Sequence, residues 1–112
     1  MTKQELETMI AEKVMRWAST EFLNTYGLGD GVFTKWQPLT DLNQCFEALE
    51  AWKDNYIYPV ITIGDDANTW LVELYIDQHY IKVGSADNKS LNAAICLALA
   101  EATTGEQQTL EV

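Results

Sequence analysis

Few residues of this chain are of a type and spacing that could do chemistry. The single histidine, His79, has Glu73 and Asp77 close by in sequence. A general base needs a proton within reach and an orienting partner, yet Ser19, Ser85 and Ser90 lie in no nucleophile elbow. His79 therefore reads as a strand-surface or ligand-touching residue. Asp65 and Asp66 are adjacent in Gly64-Asp65-Asp66-Ala67-Asn68. Paired carboxylates can hold a cation or share a proton, but no acids follow at calcium-loop spacing, so a solvated hairpin tip is expected. Gly27-Leu28-Gly29-Asp30-Gly31 invites a phosphate-loop reading. The third glycine of a dinucleotide fingerprint would fall on Val32, and no Gly-Lys-Ser/Thr follows. Cys45 and Cys96 sit inside apolar helical patterns and read as reduced core thiols. With His79 they would leave a structural zinc incomplete. No catalytic residue, metal or cofactor is expected.

What remains is binding chemistry. The segment from Thr20 to Leu39 has no helical period and carries Phe22, Tyr26, Phe33 and Trp36. Loops of that length are rare in compact domains and are usually functional or mobile. No core stripe claims Tyr26, Phe33 or Trp36, and such rings can stack on a planar base. Arg16, Lys35 and Lys89 lie near expected loops or helix ends. Thr40, Asp41 and Ser90 mark two helix starts, where an anion gains amide donors and the helix dipole. The candidate ligand-binding set is therefore Trp36, Tyr26, Phe33, Arg16, Lys35, Thr40, Asp41, Lys89 and Ser90.

These residues need elements to hold them. Thr2-Lys3-Gln4-Glu5 is a capping box, and Leu6, Met9, Ile10, Val14 and Trp17 follow at helical spacing, predicting a helix from Lys3 to Ser19. A short strand is possible within Val32 to Gln37. Thr40 reads as the cap of a second helix, Asp41 to Lys53, with Leu42, Cys45, Phe46, Leu49 and Trp52 on its apolar stripe. Tyr56 to Ile63 is β-rich, with Pro59 suggesting an edge strand or an irregular start. Trp70, Val72, Leu74 and Ile76 alternate with Leu71, Glu73, Tyr75 and Asp77 as a half-buried strand. His79 to Gly84 returns as a third strand, and short connections make the sheet antiparallel. Ser85 to Lys89 reads as a connection. The final helix runs from Ser90 to Thr103, stopped by Gly105. It is apolar nearly all round between Ala93 and Ala100, so it must be packed on several faces, in so small a domain with a partner chain's help. Trp17, Trp52 and Trp70 are expected in the core. The fold expected is α+β, an α-α-β-β-β-α sandwich with a three-stranded antiparallel sheet. One domain spans residues 1–105, and 106–112 form a polar tail.

Composition narrows the partners. Of 112 residues, 47% are hydrophobic and 21% charged, ordinary for one folded domain. Acids outnumber bases by 17 to 7, a net −10. That opposes binding to a nucleic-acid polymer, which takes a basic face, and to an anionic membrane. Ala93 to Ala100 is too short an apolar run to span a bilayer, and the N-terminus has no secretory h-region.

Three segments, in order, resemble one family. Ala11-Glu12-Lys13-Val14-Met15-Arg16-Trp17 ends the first helix, Pro38-Leu39-Thr40-Asp41 opens the second, and Ala94-Ile95-Cys96-Leu97-Ala98-Leu99-Ala100 lies in the last. Together they resemble the phage ABA sandwich domain family of small phage proteins, whose members usually have Gly where Arg16 stands and Ser where Leu39 stands. The resemblance implies helix–sheet–helix layering and a phage source, and brings no established catalytic activity. By analogy of lifestyle, some small phage proteins trap nucleotide immune signals. The leading expectation is a non-enzymatic, homo-oligomeric protein that sequesters a nucleotide-derived small molecule, of cyclic nucleotide or ADP-ribose type, in the cytoplasm of an infected bacterium. The alternatives are an acidic protein-binding inhibitor that imitates nucleic acid, and a phage structural or accessory protein. An enzyme ranks last.

Overall fold

The first helix begins where its capping box stands. The computed structural model describes residues 1–17, 25–27, 33–53, 57–64, 67–76 and 81–111, without the side chains of 25–27, 33–35, 53, 57 and 58. Thr2 Oγ1 accepts the Glu5 N–H and the Glu5 carboxylate accepts the Thr2 N–H, both at 3.1 Å, opening α1 (Lys3–Met9). The Thr2 backbone bond holds the Glu5 carboxyl below its ordinary value. The helix continues as a π-helical turn, Ile10–Val14, with Met15 N–H bonded to the Ile10 carbonyl at 3.1 Å. In a pure α-helix, residues four apart drift around the axis by about 40° per step. The wider π turn offsets that drift, so Leu6, Ile10 and Val14 all stay buried. Arg16 then takes a left-handed φ of 61°, and a Trp17 N–H bond to the Ala11 carbonyl at 3.1 Å closes the end. The helix stops there, short of the expected Ser19, because the chain turns left-handed at Arg16.

Within the long non-helical segment, β1 (Thr25–Gly27) pairs antiparallel with β2 (Phe33–Lys35), so the short strand expected there exists and has a partner. Next comes α2 (Leu42–Lys53). Its cap is Asp41, not Thr40. Asp41 Oδ1 accepts the Gln44 N–H at 3.2 Å and its carbonyl accepts the Cys45 N–H at 3.2 Å. Thr40 is drawn into the preceding turn, where its N–H and hydroxyl both donate to the Gln37 carbonyl.

The sheet has the order β3 (Ile57–Ile63), β4 (Trp70–Ile76), β5 (Ile81–Asn88), antiparallel throughout. Val72 and Leu74 point to the core side as alternation requires, and Pro59 lies on edge strand β3. The third strand extends through the expected connection to Asn88, since Ser85, Asp87 and Asn88 continue the ladder opposite Glu73, Leu71 and Trp70. The β3–β4 turn closes with Gly64 N–H to the Thr69 carbonyl, 2.8 Å, and Ala67 at φ 62°. Asp65, Asp66, Asp77 and His79 lie outside the described residues.

Ser90 caps α3 (Leu91–Thr104) by accepting the Ala93 N–H, and Gly105 ends it at φ 79°. This helix is the middle layer, packed on β4 and β5 on one side and on α1, the π turn and α2 on the other, so among the described residues the layers run helix–helix–sheet, which corrects the helix–sheet–helix order that the resemblance implied. Every residue from Ala93 to Ala100 is buried, so one chain covers the all-round apolar helix without a partner. Gly84 permits the close approach. A Cβ there would strike the Ala98 carbonyl and lie 3.0 Å from Ala102 N. The tail is docked rather than loose: Glu111 N–H bonds to the Met1 carbonyl at 2.8 Å and Leu110 packs against the core.

Candidate functional site

Two of the four tryptophans exchange their expected places. Trp36 is only 2% exposed and belongs to the core. Its ring meets Trp17 edge-on, centroids 4.9 Å apart, and its indole N–H donates to the Glu7 carbonyl at 2.8 Å. A ring so enclosed offers no free face for stacking, which corrects the reading of Trp36 as a platform. Trp70 is 38% exposed instead, because the helical layer does not cover the end of the sheet where it stands. Trp52 is buried and Trp17 packs partly buried on the core, as expected. The side chains of Tyr26, Phe33 and Lys35 lie outside the described residues.

Glu7 fixes the approach to α2. Besides holding Trp36, its carboxylate accepts the Leu39 N–H at 3.2 Å. The buried Gln44 side chain accepts the Gln37 N–H, and Asn92 of α3 donates to the Pro38 carbonyl at 2.8 Å. These bonds set the residues ahead of α2 against the first turn of α3.

The result is a pocket of about 170 Å³ where five segments converge. Its polar lining is Lys3, Thr40, Asn88 and Ser90; Leu39, Ala93 and Leu110 complete it. Thr40 and Ser90 were expected at a binding site from sequence, and the fold brings them together. Lys89 is exposed beside them in the chain. Asp41 stands next to Thr40, but its carboxylate already serves as the α2 cap. Arg16 is not brought here, since it ends the helix that Lys3 begins. Sequence reasoning missed Lys3 and Asn88. Asn88 carried a readable signal, an Asx residue two before the Ser90 cap, and its Oδ1 accepts the Ser90 N–H at 2.9 Å.

The donors in this pocket outweigh its acceptors. Lys3 supplies an ammonium. Ser90 Oγ accepts from Ala93 at 3.2 Å, leaving its O–H to donate. Asn88 uses its oxygen on Ser90, leaving its amide NH₂. Such a set suits the oxygens of a phosphate or another oxyanion. A larger depression of about 450 Å³ runs along the outer face of α1, with Glu5, Glu12 and Lys13 among its lining residues. It opens to solvent along one helix, and two carboxylates, Glu5 and Glu12, stand in its lining.

The two thiols are both free and buried. Cys45 Sγ donates to the Pro38 carbonyl at 2.9 Å. The hydrogen bond with Cys45, then burial, push the Cys96 thiol well above its ordinary value. The Cys96 thiol therefore stays protonated near neutral pH, and both cysteines are enclosed in the core. Among the described residues, no grouping of His, Cys, Asp and Glu could hold a metal ion, and no helix is long and apolar enough to cross a membrane.

Among the described residues, three helices packed with a three-stranded antiparallel sheet define an α+β sandwich of small size. The family model of the phage ABA sandwich domain matches residues 8–99 of the 112, and the chain belongs to that family. No curated protein and no solved structure gives a significant match.

Proposed function

We propose that this phage protein binds a small nucleotide-derived molecule through its phosphate and holds it without turnover, lowering the free concentration of a signal in the infected bacterium's cytoplasm. The observation that carries this reading is the pocket itself. Lys3, Asn88 and Ser90, each with a donor to offer, line one small space beside the segment that the bonds of Glu7 and Asn92 hold. At about 170 Å³ the pocket is below the ~300–1,000 Å³ typical of whole-ligand sites, so it takes the anionic end of a ligand and leaves the rest outside.

Calorimetry with inorganic phosphate, AMP, cyclic dinucleotides and ADP-ribose tests the reading. At least one nucleotide should bind, and Lys3→Ala with Ser90→Ala should weaken it tenfold or more. The ligand recovered after heat denaturation should be chemically unaltered. Absence of heat with every compound, or recovery of a cleaved product, would overturn it.

A second reading, an acidic inhibitor of a host protein, is favoured by one feature. Leu42 and Phe46 lie one turn apart on α2, 39% and 43% exposed, beside exposed Glu47. Salt-sensitive capture of a host nuclease or repressor, lost on Phe46→Glu, would support it; capture unaffected by both would not.

A further inference from the structure

The geometry points to Trp70 as the residue that grips the flat part of the ligand, an inference that rests on the phosphate reading of the pocket above. Trp70 shares its side of β4 with Val72 and Leu74, both fully buried, so its indole stands on the helix-covered side of the sheet. It nevertheless remains 38% exposed, because α3 begins only at Leu91 and runs away from that end. The register places Trp70 directly opposite Asn88 on one side and Ile63 on the other. Directly opposed residues carry their Cβ atoms about 4.5–5.5 Å apart on the same face. Asn88 lines the pocket, so the register sets Trp70 next to a lining residue, with the 59% exposed Ile63 extending an apolar ledge on its other side.

A ligand seated by its phosphate among Lys3, Asn88 and Ser90 is too large for the pocket alone and must emerge over this ledge. An uncharged planar group is the chemistry a half-exposed indole and an isoleucine take best. The ligand class is therefore a nucleoside phosphate, its phosphate inside and its base stacked on Trp70.

The test compares ribose 5-phosphate with AMP on the full-length protein, by calorimetry and by tryptophan fluorescence. AMP should bind about tenfold or more tightly than ribose 5-phosphate, the range expected for one stacked base. Trp70→Ala should erase that advantage while leaving ribose 5-phosphate affinity within twofold, and Trp70→Phe should keep part of it. AMP should quench fluorescence in the native protein and not in Trp70→Phe. Equal affinities in the native protein, or an advantage that survives Trp70→Ala, overturn the assignment of Trp70 and leave the phosphate pocket standing. If neither compound nor inorganic phosphate binds, the pocket reading itself falls. Should Trp70→Ala fail to fold by circular dichroism, Trp70→Phe and the quenching decide alone.

Discussion

Glu7 and Arg16 show how single residues hold this structure against local cost. Glu7 ties Trp36 and Leu39 to the first helix through its carbonyl and its carboxylate. Trp36→Ala leaves a cavity and is expected to lose ~3–5 kcal/mol of stability. Trp36→Phe, which forfeits the indole hydrogen bond, should lose about 1–2 kcal/mol; denaturant titration reads both. Any loss of ligand binding in these variants should follow the fraction unfolded rather than a lost stacking face. Arg16 sits at φ 61°, a conformation costing a non-glycine residue ~1–2 kcal/mol. Arg16→Gly relieves that cost while giving back some chain entropy in the unfolded state. The expected net is a gain of about 0.5–1 kcal/mol, and a fall in the urea midpoint would contradict it.

Packing between elements hinges on the contact of β5 with α3. Gly84 is the point where strand and helix backbones come closest. Gly84→Ala must push α3 outward, and overpacking of this kind typically costs ~1–3 kcal/mol. Thermal unfolding should register a lower midpoint, whereas Gly105→Ala, with nothing within 4 Å of the added Cβ, suffers only its left-handed backbone. The helix boundaries were readable where a residue's own chemistry marks them: the capping side chains of Thr2 and Ser90, and the left-handed backbone of Gly105. They were misjudged where two capping candidates stood side by side. Thr40 and Asp41 both qualify in sequence, and only the turn that consumes Thr40's N–H and hydroxyl leaves Asp41 as the cap.

For the molecule as a whole, α3 is buried within one chain, so its burial does not depend on self-association. The protein's unfolding midpoint should not move with protein concentration between micromolar and hundreds of micromolar, since only linked assembly makes it do so. A rising midpoint would show that an oligomer interface contributes. The buried Cys96 thiol sets a pH dependence. Cys96 ionises in the folded state well above its ordinary value, which is about 8.5 when unfolded. Its contribution is thus fully present below about pH 8.5 and is lost as pH rises toward the folded value. Guanidinium midpoints should fall from pH 8 to pH 10 more steeply in the native protein than in Cys96→Ala, and native Cys45 and Cys96 should resist thiol reagents until unfolding.

Periodicity and capping chemistry are local properties, so the order of helices and strands, the antiparallel pairing and the core stripes of α1, β4 and α3 could be read residue by residue. So could the reduced cysteines and the starts of α1 and α3. Whether a given ring faces inward is not local. Trp36 lies in a segment without helical period yet enters the core, because Glu7 and Trp17, far off in sequence, supply its bond and its edge-on contact. Trp70 fits a core stripe and still meets solvent, because α3 begins beyond it. The same holds for the pocket: Lys3, Thr40 and Asn88 belong to different segments, and no spacing along the chain could bring them together before the layers had packed.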